Sequence, residues 1–175
     1  ELVLEAGDIT ETRADVALFK YSQRFNGASQ AVAQRLGAVG IPTSQLEVAP
    51  GDFRFVETRG GLTAPLVLYL GTVRLGSFGY HEIRQFAVRA LKALESRPGL
   101  RHLASTVHGP NYGLDEDEAV LALAGGLVEA FQRGNGPQGL ERVTLVGIVS
   151  RRALRLPRAL ERGLGGTPRD HALTR

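Results

Sequence analysis

The sequence predicts a three-layer α/β/α domain built on a mixed central sheet. Short apolar runs alternate along the chain with amphipathic helical stretches. Two of those runs, PLVLYLGTV and VTLVGIV, are apolar on both faces, as strands covered by helices on each side must be. Glycine- or proline-bearing turns separate most of the elements, and no internal repeat interrupts the order.

Taken in order, 1–6 (ELVLEA) alternates and reads as a strand, and Gly7-Asp8-Ile9-Thr10 as a turn. Residues 14–21 (ADVALFKY) form a more continuously buried strand. Asn26-Gly27 leads into a short helix over 28–36, where Ala28, Val32 and Leu36 repeat at helical spacing, and Gly37 and Gly40 end it. Two strands are expected at 45–49 and 53–58, joined by Pro50-Gly51-Asp52. Gly60-Gly61 turns the chain into 65–73, a central strand. The pattern over 80–96 is helical, with Ile83, Phe86, Ala87, Ala90, Leu91 and Leu94 on one stripe. A strand at 100–107 and a second amphipathic helix at 115–132 follow. Residues 143–149 make a buried strand, and 150–162 a closing helix that Pro157 shortens or kinks. After Gly163 the composition reads as a disordered tail, which gives a domain over 1–162 and a tail over 163–175.

Composition narrows the function classes. At 175 residues, with 43% hydrophobic and 22% charged residues, the chain suits one domain with a sizeable core. It has no apolar run near the ~20 residues of a membrane span and no visible signal peptide, so a cytoplasmic setting is expected. Cysteine is absent, which removes disulfides and thiolate metal sites. Methionine is absent too and the chain starts at Glu1, so a fragment cut from a longer protein, or a processed product, is expected. The net charge of +3 is mild; its excess gathers late, from Arg151 to Arg175, with no aromatic interleaving. A solvated helix explains it more simply than a nucleic-acid face. His81, His102, His108 and His171 show no metal-ligand spacing, and neither Walker nor dinucleotide fingerprints are present.

The most pointed stretch is STVHGPNYGLDEDEA, residues 105–119, in which a strand stops in a glycine loop and a capped helix starts at once. Gly109 and Gly113 would let backbone amides approach a ligand closely. Asn111 could add a donor and Tyr112 a stacking ring. The helix start offers free amides and part of a positive charge. Against this, Asp115 can cap the helix with Glu118 as its partner, and four carboxylates repel an incoming diphosphate. On its own the loop reads equally as a ligand site and as a connector.

The pieces together resemble a macro domain, the α/β module associated with ADP-ribose. Gly7-Asp8-Ile9-Thr10 is similar to the GDIT that opens many such domains, and Arg13 to Ala17 to the strand after it. Asn26-Gly27-Ala28 stands where the family's glycine-rich loop enters its first helix. Thr106 to Glu118 resembles a later glycine loop of the family, with Tyr112-Gly113 and Glu118-Ala119 in register. VTLVGIVS followed by 153–160 is similar to the closing strand and helix. The leucyl aminopeptidase amino-terminal domain, also macro-like, offers a second likeness through Leu68 to Gly71 and Ile83 to Lys92.

The resemblance implies roles. Asp8 would accept from an adenine amino group, with the Ile9 backbone beside it. The loop from Gly109 to Gly113 would wrap a diphosphate, with Tyr112 against the distal ribose. Asn26 and Gly27 would line the opposite phosphate loop. One departure is large: where the family carries asparagines and a glycine run, this chain has Phe19-Lys20-Tyr21-Ser22-Gln23-Arg24-Phe25 and a single Gly27. That argues against a working ADP-ribosyl hydrolase, which stays the third alternative, as a divergent one. The expected function is a non-catalytic module that binds ADP-ribose or a related nucleotide, without cofactor or metal. The alternative is a degenerate domain that contacts other domains of its parent protein, its cleft filled by Phe19, Tyr21, Phe25 or Tyr112.

Overall fold

The structure, a computed structural model, describes residues 1–107 and 113–147, with Leu75 described in its backbone alone. Among the described residues six strands form one sheet: β1 (Leu2–Ala6), β2 (Val16–Tyr21), β3 (Phe53–Glu57), β4 (Leu66–Gly71), β5 (His102–Thr106) and β6 (Arg142–Gly147). Three α-helices among the same residues lie against it: α1 (Gly27–Ala38), α2 (Tyr80–Leu94) and α3 (Glu116–Gln132). The strand order is β1-β6-β5-β2-β4-β3. The first five strands in that order run parallel, and β3 pairs antiparallel with β4 at one edge. The α/β/α expectation with a mixed sheet therefore holds.

Each layer follows from side-chain alternation. Val16, Leu18, Leu68, Leu70, Leu103 and Leu145 face α2 and α3. Ala17, Phe19, Tyr21, Val67, Tyr69 and Val146 face the other way, where Val32, Ala33 and Leu36 of α1 meet them. The predicted stripe of α2 is buried in full, and Glu82 accepts from the Gly79 amide at 2.9 Å to close its first turn. Asp15 accepts from the Arg101 and His102 amides, at 2.7 and 2.9 Å, and so fixes the start of β5 beside β2.

Three boundaries differ from expectation. Helix α1 runs on through Gly37, which stays helical, and Gly40 at φ +82° stops the chain instead. Residues 45–49 are not a strand. Pro42 opens a short 3-10 turn, Thr43–Gln45, and the alternation that imitates a strand comes from Leu46 and Val48 anchoring a loop in the α1-side core. The closing helix at 150–162, the tail at 163–175 and residues 148–149 lie outside the described residues.

Lys20 is buried on the α2 side of β2, only 8% exposed, with its ammonium 4.3 Å from the centre of the Phe78 ring. Burial pushes its pKa down from 10.5 to about 8.

Two outcomes are expected. A Cβ on Gly71 would sit 1.9 Å from the Ala49 carbonyl oxygen, and one on Gly126 2.2 Å from that of Arg84, where α2 and α3 touch. At Gly37 it would meet nothing within 4 Å. Gly71→Ala and Gly126→Ala should each cost several kcal/mol in denaturant unfolding, roughly 3 or more, whereas Gly37→Ala should stabilise by about 0.5–1 kcal/mol. Lys20 gives a pH signature. Below pH 8 both folded and unfolded chains carry its proton, and the full penalty of burying the charge is present. From about 8 to 10.5 the folded chain loses the proton first, so this contribution raises stability with pH by roughly 3 kcal/mol in all. Lys20→Met should therefore melt above the wild type at pH 7, and the gap should close by pH 10.

Candidate functional site

Because β1, β6, β5, β2 and β4 are parallel, their carboxyl ends share one edge of the sheet, the edge at which open α/β sheets bind ligands. Three segments emerge there: the turn after β1, the loop joining β2 to α1, and the loop joining β5 to α3. Among the described residues they carry Asp8, Ile9, Asn26, Gly27 and Gly113.

Asp8 sits in the first turn. Its Oδ1 accepts from the Thr10 amide at 2.9 Å and from the Thr10 hydroxyl at 2.7 Å, an Asx turn of the kind a Gly-Asp pair favours. Its main-chain carbonyl accepts from the Glu11 amide. The other carboxylate oxygen remains at the surface, 3.9 Å from the guanidinium of Arg35 on α1. The two Thr10 hydrogen bonds, helped by Arg35, hold the carboxyl below its ordinary pKa. Asp8 is thus a fixed anion with one oxygen committed and one available. Ile9 is buried in the α1-side core, which anchors the turn.

The second segment is tightly determined. Gln23 adopts φ +66°, and its side-chain amide donates to the Thr72 carbonyl at 3.2 Å, tying the loop to the end of β4. Asn26 caps α1 with extended backbone. Its amide donates to the Ser29 hydroxyl at 3.2 Å, that hydroxyl donates back to the Asn26 carbonyl at 2.8 Å, and the Asn26 side chain donates to the Arg24 carbonyl. Gly27 follows at φ +51°, a left-handed conformation suited to glycine. The aromatic residues condense here: Phe25 lies 5.0 Å from Tyr21 and 6.3 Å, edge-on, from Tyr69, which is 5.8 Å from Phe19. Phe19 and Tyr21 belong to the core, and Phe25 covers them.

In the third segment Gly109, Asn111 and Tyr112 lie outside the described residues. Gly113 is exposed at φ +83°. After it Asp115 caps α3, accepting from the Glu118 amide at 3.0 Å, while its own amide donates to the Tyr80 hydroxyl. One helix-start amide is thereby occupied from within, as the acidic first turn suggests.

Asp8, Ile9, Asn26, Gly27 and Gly113 therefore share one edge of the sheet. Sequence reasoning missed Arg35, which reaches Asp8 from α1, and two buried hydroxyls, Ser22 Oγ and Tyr69 Oη, that lack a hydrogen-bond partner among the described residues. Nothing in the sequence distinguishes a satisfied tyrosine from an orphaned one. Among the described residues no group of three His, Asp or Glu side chains could hold a metal ion, and no helix is long and apolar enough to cross a membrane.

No family profile matches the chain, and no curated protein matches it in sequence. Solved structures do match it in shape. A Trypanosoma brucei macrodomain in complex with ADP-ribose superposes with a TM-score of 0.67 at 18% identity, covering 94% of this chain and 69% of that one. An Oceanobacillus iheyensis macrodomain with ADP gives 0.64 at 15% identity over 92% and 90%. The same macrodomain with MES bound gives the same values. At these identities the likeness concerns the fold alone: the chain has the macro domain fold.

Proposed function

We propose that this chain is a non-catalytic macro-like module, formed by residues 1–162, that binds ADP-ribose or a related nucleotide at the carboxyl edge of its sheet. The observation that carries the reading is Asp8, held by Thr10 with one carboxylate oxygen left at the surface. An anion so fixed suits an exocyclic amine, because it is oriented before the ligand arrives. Support comes from the neighbouring structures, macrodomains whose bound molecules are ADP and ADP-ribose. In this reading Asn26, Gly27 and the loop from Gly109 to Gly113 flank the diphosphate, and Asn111 and Tyr112 line the distal part. The non-catalytic part rests on the segment from Phe19 to Phe25, which offers neither carboxylate nor imidazole for acid–base work.

A second reading has its own observation. Phe25 packs on Tyr21 and Tyr69 at the edge of the α1-side core, an aromatic cover that suits a domain kept as a scaffold for contacts with other protein domains after losing its ligand.

Calorimetric titration with ADP-ribose separates the two. The first reading predicts micromolar binding that Asp8→Ala weakens by about tenfold or more, the loss of a charge-assisted hydrogen bond. Far-UV dichroism of the variant should match the wild type, so that lost binding is not lost folding. Absence of heat and of any thermal shift at millimolar ADP-ribose would contradict the first reading and favour the second.

A further inference from the structure

The open edge of the sheet at β3 is built to accept one more strand. In an antiparallel ladder, residues that bond their partner alternate with residues whose peptide groups point away. The Gly71 amide donates to the Asp52 carbonyl at 3.0 Å and the Thr58 amide to the Pro65 carbonyl at 2.9 Å, bracketing β3 in register. Asp52, Arg54, Val56 and Thr58 therefore bond toward β4. The N–H and C=O groups of Phe53, Phe55 and Glu57 point outward, beyond the last strand of the sheet.

Two recesses run along this edge and share Arg54. One, of about 340 Å³, lies between the strand residues Arg54 to Glu57 and a wall made by Ile41, Gln45 and Arg59. The other, of about 370 Å³, lies beside Val48, Ala49 and the stretch from Gly51 to Arg54. Together they follow the length of β3, about 17 Å for five residues. The segment misread from sequence as a strand, 45–49, thus walls a trough.

The trough is chemically two-sided. Arg54 stands opposite Tyr69 on the α1 side of the sheet, donating to the Gln45 carbonyl at 3.0 Å. Arg59 lines the same recess. Among the described residues neither has a carboxylate within 4.0 Å, and each is free to meet an incoming acid. On the other side Phe53 is 49% exposed and its ring meets Phe55 at 5.9 Å, edge-on. Proteins usually blunt such an edge. Among the described residues this one presents peptide groups bonded to no further strand, an aromatic face and two cations without acidic partners.

We propose that β3 is a docking strand for an extended peptide of another protein, with acidic side chains on the Arg54 face alternating with apolar ones on the Phe53 face. Main-chain bonds to Phe53, Phe55 and Glu57 would supply affinity, and the arginines and phenylalanines would select the sequence. The site is independent of the nucleotide reading, since it lies at the sheet edge formed by β3 and not at the ends of the parallel strands.

The test is amide-resolved NMR of the full chain titrated with a blocked hexapeptide of alternating glutamate and valine. The amides of Phe53, Phe55 and Glu57 should shift and exchange more slowly, and a lysine–valine peptide should bind at least about tenfold more weakly. Glu57→Pro deletes an outward N–H and leaves the bonds to β4 in place, so it should keep the native spectrum and abolish the response. Arg54→Glu with Arg59→Glu should transfer the preference to the lysine peptide. No shift at several millimolar peptide, equal response to both peptides, or persistence of the response in Glu57→Pro would overturn the proposal. Shifts at β3 that appear on concentrating the protein alone would also overturn it, by assigning the edge to a second copy of the chain.

Discussion

The arrangement depends on β2. All six of its residues are buried, and it bonds β4 on one side and β5 on the other, both parallel to it. Parallel neighbours cannot be joined by a hairpin, so the chain must cross back over the sheet between them. Each return starts from the same edge. Asp8, Asn26 and Gly113, far apart in sequence, come to share that edge because the strands before them are parallel. The covering helices are required for the same reason, since a strand apolar on both faces needs a layer on each.

That burial has a cost which falls near the site. Tyr69 is fully buried, and among the described residues neither its phenol nor the buried Ser22 hydroxyl has a hydrogen-bond partner. Each unsatisfied group costs about 1–3 kcal/mol. Burial also drives the Tyr69 hydroxyl well above its ordinary pKa, so it stays neutral. The loop above is held by Gln23 in a left-handed conformation and by its bond to Thr72. A loop tied at both ends loses little freedom when it meets a ligand, which favours binding. The ion pairs do less: Arg35 with Asp8 and Glu11 is largely exposed, and such pairs contribute roughly 0–1 kcal/mol.

Much of this was legible in the sequence, for identifiable reasons. The stripe of α2 has a period that only a helix buries on one side, and PLVLYLGTV is too evenly apolar for an edge strand. Gly-Asp-Ile-Thr was legible as a turn. The error at 45–49 is equally physical: Leu46 and Val48 alternate with Glu47 as strand residues do, but they serve as anchors for a loop with no strand to pair with. Alternation reports which side chains are buried and is silent about where the peptide groups go. The trough at β3, the reach of Arg35 and the orphaned hydroxyls depend on register across elements distant in sequence. No local pattern encodes them.

The central claim is that ligand recognition belongs to the carboxyl edge of the parallel strands and is organised around Asp8. Mapping ADP-ribose onto the amide spectrum of the isotopically labelled chain tests it most directly. The account predicts that the perturbed amides fall in three groups, from Gly7 to Thr10, from Ser22 to Gly27, and around Gly113, with β3 unmoved. Perturbations centred on β3 or on the outer faces of α2 and α3, or a spectrum that does not change at saturating ligand, would contradict it.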